Sequence, residues 1–201
     1  MSASLTRVSN NELFSITGSH NHQGIAARVG PFPYVEFSDI LPNFVERQGP
    51  VLVLDEVQDP TNLGNILRSG ECLGASCVIL SKDRSVGVTP AVEKTSAGAA
   101  AYIPVVRVTN LVRALDSLKD SGYWIYATDS RSKTLCFEID LTQRLAFVLG
   151  SEGKGIRRLV RERCDDAVSI PMTGKIESLN VAQTTAIILA EALRRRIAAS
   201  R

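Results

Sequence analysis

Histidine is scarce in this chain: His20 and His22 are the only two in 201 residues, and both stand near the N-terminus. A His-based triad in the body of the chain is therefore not expected. The four cysteines (Cys72, Cys77, Cys136 and Cys164) include no CxxC pair, and none adjoins a histidine in sequence. That spacing argues against a structural zinc site, and no metal is expected; buried free thiols in a cytoplasmic protein are the plain expectation. Uninterrupted apolar runs never approach 18 residues, so no transmembrane helix and no membrane partner is expected. The segment from Met1 to Asn11 is polar and lacks the apolar stretch of a secretory signal. Charge of one sign is also missing: 23 Lys and Arg face 21 Asp and Glu, a formal net charge of +2. That balance excludes a uniformly basic nucleic-acid coat and leaves room for a local basic patch. Internal repeats and low-complexity tracts are absent.

What is present is 44% apolar residues, over a length that suggests one domain or slightly more and a sizeable core. The first 49 residues differ in texture from the rest. Asn10-Asn11, Ser19-His20-Asn21-His22, Pro31, Pro33, Pro42 and Gly49-Pro50 punctuate short apolar runs such as 24–29 and 34–37. This part reads as one or two short strands plus an extended linker. Residues 50–201 read as the regular domain. Apolar runs at 51–54, 76–80, 102–105, 123–128, 145–149 and 167–170 predict strands. Helices are predicted over 62–73, 89–99, 110–120 and 180–199. Strands alternating with helices imply an α/β fold, with a mostly parallel sheet flanked by helices. In such sheets ligands bind beyond the carboxyl ends of the strands.

Three loops at strand ends carry the chemistry. The first is Asp55-Glu56-Val57-Gln58-Asp59-Pro60-Thr61-Asn62-Leu63-Gly64-Asn65-Ile66-Leu67-Arg68. Its start suits a helix capped by Thr61 or Asn62. Gly64 admits a close approach by another backbone or a ligand. Capping plus a surface arginine would account for this segment alone. The second runs Leu149-Gly150-Ser151-Glu152-Gly153-Lys154-Gly155-Ile156. Its GxxGxG spacing is neither GxGxxG nor a Walker A loop, and Glu152 is an unfavourable neighbour for a triphosphate but not for a cationic ligand. A plain glycine-rich turn competes with the ligand-cradle reading. The third is Ile170-Pro171-Met172-Thr173-Gly174-Lys175-Ile176-Glu177-Ser178-Leu179-Asn180, where Ser178 or Asn180 can cap the last helix.

Other features have simpler readings. Ser19-His20-Asn21-His22 is a solvated loop before it is a metal site. Lys154, Arg157, Arg158, Arg161 and Arg163 form a basic cluster that suits a solvated face or RNA phosphates. Arg194-Arg195-Arg196 suits a helix C-terminus on dipole grounds alone.

Taken together and in this order, DPTNLGNILR, LGSEGKGI and IPMTGKIESLN resemble the SpoU (TrmH-like) branch of the SPOUT RNA methyltransferases. Lys82-Asp83-Arg84-Ser85, Arg107-Val108-Thr109-Asn110 and residues 22–28 are similar to the bacterial 23S rRNA guanosine-2′-O-methyltransferase subgroup. The likeness extends over roughly residues 20–197. It implies a C-terminal deep trefoil knot, an exception to the usual rule against knots. It implies a cytoplasmic homodimer using S-adenosyl-L-methionine. It also implies catalytic or RNA-facing roles for Asn62, Arg68, Glu152, Ser178 and Asn180. The cofactor would be held around Leu149, Gly150, Ser151, Gly153, Gly155, Ile170, Met172, Leu179 and Asn180. Relatives usually carry a complete N-terminal RNA-binding domain; here residues 1–49 resemble only its remnant and a linker, and substrate recognition in relatives belongs partly to the complete domain, which puts the choice of RNA target in question.

The resemblance thus implies methyl transfer to a ribose 2′-hydroxyl, in a guanosine of 23S rRNA ahead of tRNA. In-line displacement at a methyl carbon depends on orientation, and a ribose hydroxyl needs activation. A guanidinium is a poor base, so Arg68 is expected to clamp the adjacent phosphate and stabilise developing oxyanion charge. Ser178 and Asn180 would orient the ribose. Glu152 would shape the cofactor loop or take a proton through water. A non-catalytic RNA-binding or ribosome-assembly module would not need intact Gly150, Glu152, Gly153, Gly155 and Asn180. A Rossmann nucleotide enzyme is disfavoured by the missing GxGxxG. The last helix is apolar over a wide arc (Val181, Ala182, Ile187, Ile188, Leu189, Ala190, Leu193, Ile197), as suits a core element or a dimer face.

Overall fold

A strand that is apolar at every position must be covered on both faces. In a computed structural model, which describes residues 4–20, 22–40 and 49–200, β1 (Val51–Asp55) is such a strand: all five residues are buried. It is central in a sheet of six parallel strands. The others are β2 (Cys77–Ser81), β3 (Val105–Val108), β4 (Trp124–Thr128), β5 (Leu145–Gly150) and β6 (Asp166–Val168). The order across the sheet is β3-β2-β1-β5-β4-β6. The fold class is thus α/β, as the alternating pattern predicts.

Helices accompany the strands along the chain. In chain order they are α1 (Asn10–Thr17), α2 (Phe37–Ile40), α3 (Pro60–Cys72), α4 (Pro90–Thr95), α5 (Leu111–Asp120), α6 (Arg158–Arg161) and α7 (Val181–Ala199). Alternation along β1 sorts the packing. Val51 and Val53 join a core with Leu111, Leu115 and Leu118 of α5 and Val160 of α6. Leu52, on the opposite face, lies beside Gly70 of α3. α3 in turn packs on α4 and α7. Gly64 makes the first of these contacts possible, because a Cβ there would lie 2.6 Å from Cβ of Thr95. Within α7, Val181, Ala182, Ile188 and Leu189 are buried, while Ala190 and Ile197 remain exposed. None of the described helices is long and apolar enough to cross a membrane.

Several boundaries differ from the sequence-based expectation. The helix expected over 89–99 ends at Thr95, because Ala97 and Gly98 take left-handed φ values of 53° and 86°. The strand expected at 102–105 begins only at Val105; a 3-10 turn (Ala99–Ala101) leads into Tyr102 instead. The strand expected at 167–170 is Asp166–Val168.

The chain divides into two compact units, Met1–Phe32 and Pro33–Arg201. In the first, the expected short strand at 24–29 is absent and a helix stands at Asn10–Thr17. Ser9 and Glu12 close a capping box at its start, and Gly18 (φ 65°) ends it in the left-handed region. His20 stacks on Phe14 at 4.2 Å, and His22 Nδ1 accepts a hydrogen bond from the Gly24 amide at 3.0 Å. Both histidines therefore have structural contacts; Asn21 and Pro42 lie outside the described residues. In the second unit, the expected strand at 34–37 is reduced to one bridge between Val35 and Val106.

Candidate active site

The chain leaving β1 passes through α3 to β2 on one side. The chain leaving β5 passes beyond β4 to β6 on the other. The two loops diverge from neighbouring strands, and a crevice opens where they part. It has a volume of about 220 Å³ and is lined by residues of both loops, among them Glu56, Asp59, Asn62, Ser151, Glu152 and Lys154. The lining bears more carboxylates than cations, which disfavours a triphosphate.

The α3 cap differs from expectation. Asp59, not Thr61 or Asn62, is the N-cap: its side chain accepts from the Thr61 amide at 2.9 Å, with Pro60 in the first turn. Asn62 is thereby free for another contact and is only 6% exposed. Its Nδ2 donates to Glu152 Oε1 at 3.2 Å. Asn180 Nδ2 donates to Asn62 Oδ1 at 2.9 Å and to Glu152 Oε1 at 2.6 Å. Asn180 also caps α7, its Oδ1 accepting from the Ala182 amide at 2.8 Å. One triad thus ties together all three motif loops.

The glycine loop is tightly folded. A Cβ on Gly150 would meet the Gly155 carbonyl carbon at 2.2 Å. The Gly155 amide donates to the Ser151 carbonyl at 2.9 Å. Gly153 (φ 83°) and Gly155 (φ 67°) occupy the left-handed region that strains other residues. Leu149 is buried in β5. Ser151 Oγ is buried with no hydrogen-bond partner among the described residues, on the wall of the crevice. A buried hydroxyl left unsatisfied is costly, so this wall is built to meet a polar ligand. Ile170 and Met172 are half-buried and Leu179 is 37% exposed, on the stretch leading to α7.

Two expected residues stand apart. Arg68 is exposed on α3 and is not part of the crevice lining. Six residues beyond Asn62, it points about 120° away around the helix. Ser178 is exposed, and no hydrogen bond of its side chain is found among the described residues. The basic cluster is largely neutralised: Arg157 pairs with Asp55 and Glu56, Arg158 with Glu162, and Arg163 with Asp116. Of the terminal arginines, Arg194 and Arg195 pair with Glu191, and Arg196 donates to the Leu73 carbonyl.

Sequence reading missed Asp55. Its carboxylate is fully buried at the end of β1. Oδ1 accepts from Arg157 Nε at 2.7 Å and forms an ion pair with Nη2 at 2.7 Å, and Oδ2 accepts from the Arg157 amide at 2.8 Å. A single Asp ending an apolar run was the available signal, but not its partner. The next residue, Glu56, has φ 60° and pairs with Arg84 (φ 63°) at 3.2 Å. Two non-glycine residues in the left-handed region beside one crevice are the kind of strain that clusters at functional sites.

Residues 49–190 match the profile of the SpoU rRNA Methylase family. This chain belongs to that family. A protein of Staphylococcus aureus (strain COL), described as a TrmH-family tRNA/rRNA methyltransferase, is 42% identical over 177 residues, covering 87% of this chain and 71% of that protein. The SpoU methyltransferase AviRb from Streptomyces viridochromogenes, solved in complex with AdoMet, is 31% identical. Its TM-score is 0.71, covering 76% of this chain and 62% of AviRb. A structure described as an RNA 2′-O ribose methyltransferase is 31% identical, with a TM-score of 0.67, covering 75% of this chain and 58% of that one. The chain thus spans less than two thirds of either solved relative. These likenesses in fold agree with the knotted C-terminal arrangement that the motifs imply. In this SpoU family member, the Asn62–Glu152–Asn180 triad is where the three motifs meet.

Proposed function

We propose that this chain transfers a methyl group from S-adenosyl-L-methionine to a ribose 2′-hydroxyl in RNA, in a guanosine of 23S rRNA. The observation that carries the reading is the triad of Asn62, Glu152 and Asn180 beside a glycine loop with an unsatisfied buried hydroxyl. Family membership and relatives described as tRNA/rRNA methyltransferases support RNA as the substrate class.

The residues present fit the cofactor. Gly150, Gly153 and Gly155 make a turn with no side chain over it, Ser151 Oγ offers a hydrogen bond, and the carboxylates of the lining favour a cationic ligand. Leu149, Ile170, Met172 and Leu179 would contribute backbone and apolar contacts. When bound, S-adenosylmethionine supplies an activated methyl group on a sulfonium. The chain's own task is then orientation, which can supply several kcal/mol of barrier lowering. Asn180 and Asn62 fix the carboxylate of Glu152 at the crevice. Ser178, exposed nearby in sequence, is free to meet the ribose. Arg68, exposed and without a carboxylate partner among the described residues, is available to clamp an RNA phosphate and to stabilise the developing oxyanion.

The same reading includes a homodimer. Ala190 and Ile197 expose apolar surface on α7, while most of its other apolar residues are at least partly buried. Light scattering at micromolar concentration should give twice the chain mass; a monomer would remove this part.

The deciding experiment is transfer of labelled methyl onto unmodified 23S rRNA and, separately, onto bulk tRNA, with the position read by a 2′-O-methyl-sensitive primer stop. Label on a 23S guanosine supports the full reading. Label on tRNA keeps the chemistry and replaces the substrate. Failure to bind S-adenosylmethionine favours the non-catalytic RNA-binding module, whereas no label on either RNA with the cofactor bound points to a complete N-terminal RNA-binding domain as the part that delivers RNA.

A further inference from the structure

The Asp55 carboxylate is an expensive thing to bury. The four residues before it, Val51 to Leu54, are all apolar and buried, and a fifth apolar residue would complete the strand without a charge. Buried ion pairs repay their desolvation poorly, so their retention calls for a reason other than stability. Here the geometry offers one. In register, Asp55 stands opposite Gly150, where the glycine loop begins. Its carboxylate takes two hydrogen bonds and an ion pair, all from Arg157, where that loop ends. One residue of β1 therefore holds both ends of the loop, across 102 positions of sequence. Glu56 reinforces the exit, with Arg157 Nε at 3.5 Å, and ties it to Arg84 on a third segment. Everything the loop presents to the crevice lies between these two fixed points: Ser151 Oγ, the Gly150–Gly155 contact and the carboxylate of Glu152.

We propose that Asp55 and Arg157 are positioning residues, whose ion pair clasps the 150–157 loop closed in the conformation that receives the cofactor. The inference rests on the reading of that loop as the cofactor's seat. The pair touches neither methyl donor nor RNA; it acts through the loop.

The test uses the whole chain and the neutral double variant D55N/R157Q. It removes both charges together, so no buried charge is left unpaired and the chain is expected to fold. R158Q/E162Q, an exposed pair spanning α6 and the residue that caps its end, serves as the control. Hydrogen–deuterium exchange is followed for peptides covering 150–157 and for β1 and β5, and affinities for S-adenosylmethionine and RNA are measured separately. Exchange in the loop of D55N/R157Q should rise about tenfold with the strands unchanged, and S-adenosylmethionine affinity should fall about tenfold. RNA affinity, a quantity that general destabilisation would also move, should stay as in the parent. Loop exchange at the parent level overturns the proposal, and so does faster exchange with unchanged cofactor affinity. If the parent chain fails to bind S-adenosylmethionine, the proposed function falls. The clasp then stands or falls on loop exchange alone.

Discussion

Asn180 Nδ2 and Asn62 Oδ1 meet at 2.9 Å across 118 positions of sequence. The same Asn180 caps α7 through its Oδ1 and donates to Glu152. One side chain therefore starts a helix and completes the candidate site, so the two roles are separable by substitution.

Asn180→Asp retains the cap oxygen but places a carboxylate against Glu152. The cap itself is kept, because Asx caps are nearly interchangeable, while the carboxylate facing Glu152 should lower Tm near neutral pH. Methyl transfer should fall about 100-fold through lost orientation. Asn180→Ala should cost about 1 kcal/mol of stability as well. Thermal melts beside single-turnover transfer assays separate the two effects. An active Asn180→Asp enzyme would remove the triad from the mechanism.

Arg68→Ala tests a residue outside the crevice. Its exposure predicts a stability change within about 0.5 kcal/mol. Turnover should be abolished while calorimetry finds S-adenosylmethionine affinity nearly intact. Transfer at the parent rate would sink the assignment.

Gly150→Ala has no room for its methyl group, because the Gly155 backbone occupies the space. The loop must shift, at a cost of about 1–3 kcal/mol. A lower Tm should accompany weaker S-adenosylmethionine binding. Parent-like values for both would mean that the loop is more plastic than its geometry indicates.

Stability should decline at alkaline pH. Burial pushes the Cys136 and Cys164 thiols up to about 11 and the Tyr123 phenol up to about 12. In the folded chain these groups keep protons that the unfolded chain has already released. The unfolded state then binds fewer protons, and stability falls as pH rises. The effect should be absent below about pH 8.5 and grow towards about pH 11. Tm measured across that range checks it, and a flat profile would contradict it. By the same physics, a thiol reagent near neutrality should label exposed Cys72 well before the other three.

The repeating parts of the fold were legible because they obey periodicity. Val51–Leu54 and Leu145–Leu149 are continuous apolar runs, and both are central strands. The α3 cap was misplaced because several residues near one helix start can cap it; Asp59 does so, which leaves Asn62 to face Glu152. The capping box at Ser9 and Glu12 was present in the sequence but lay in a stretch dominated by turn residues. Of the site, the three loops were readable from their motifs. The Asp55–Arg157 pair was not, because an apolar run ending in Asp does not specify which distant arginine will answer it.

The pairing of β1 with β5 has a consequence for synthesis. During translation β1 and α3 leave the ribosome before their partners, so β1 must await β5, and Asn62 must await Asn180, which opens α7. Asp55 meanwhile carries a charge that the folded chain buries against a residue not yet made. The nascent chain therefore has no complete site until Asn180 has been made, and a chain stopped before α7 would lack the third corner of its triad. The candidate site therefore assembles late relative to β1, 118 positions after Asn62.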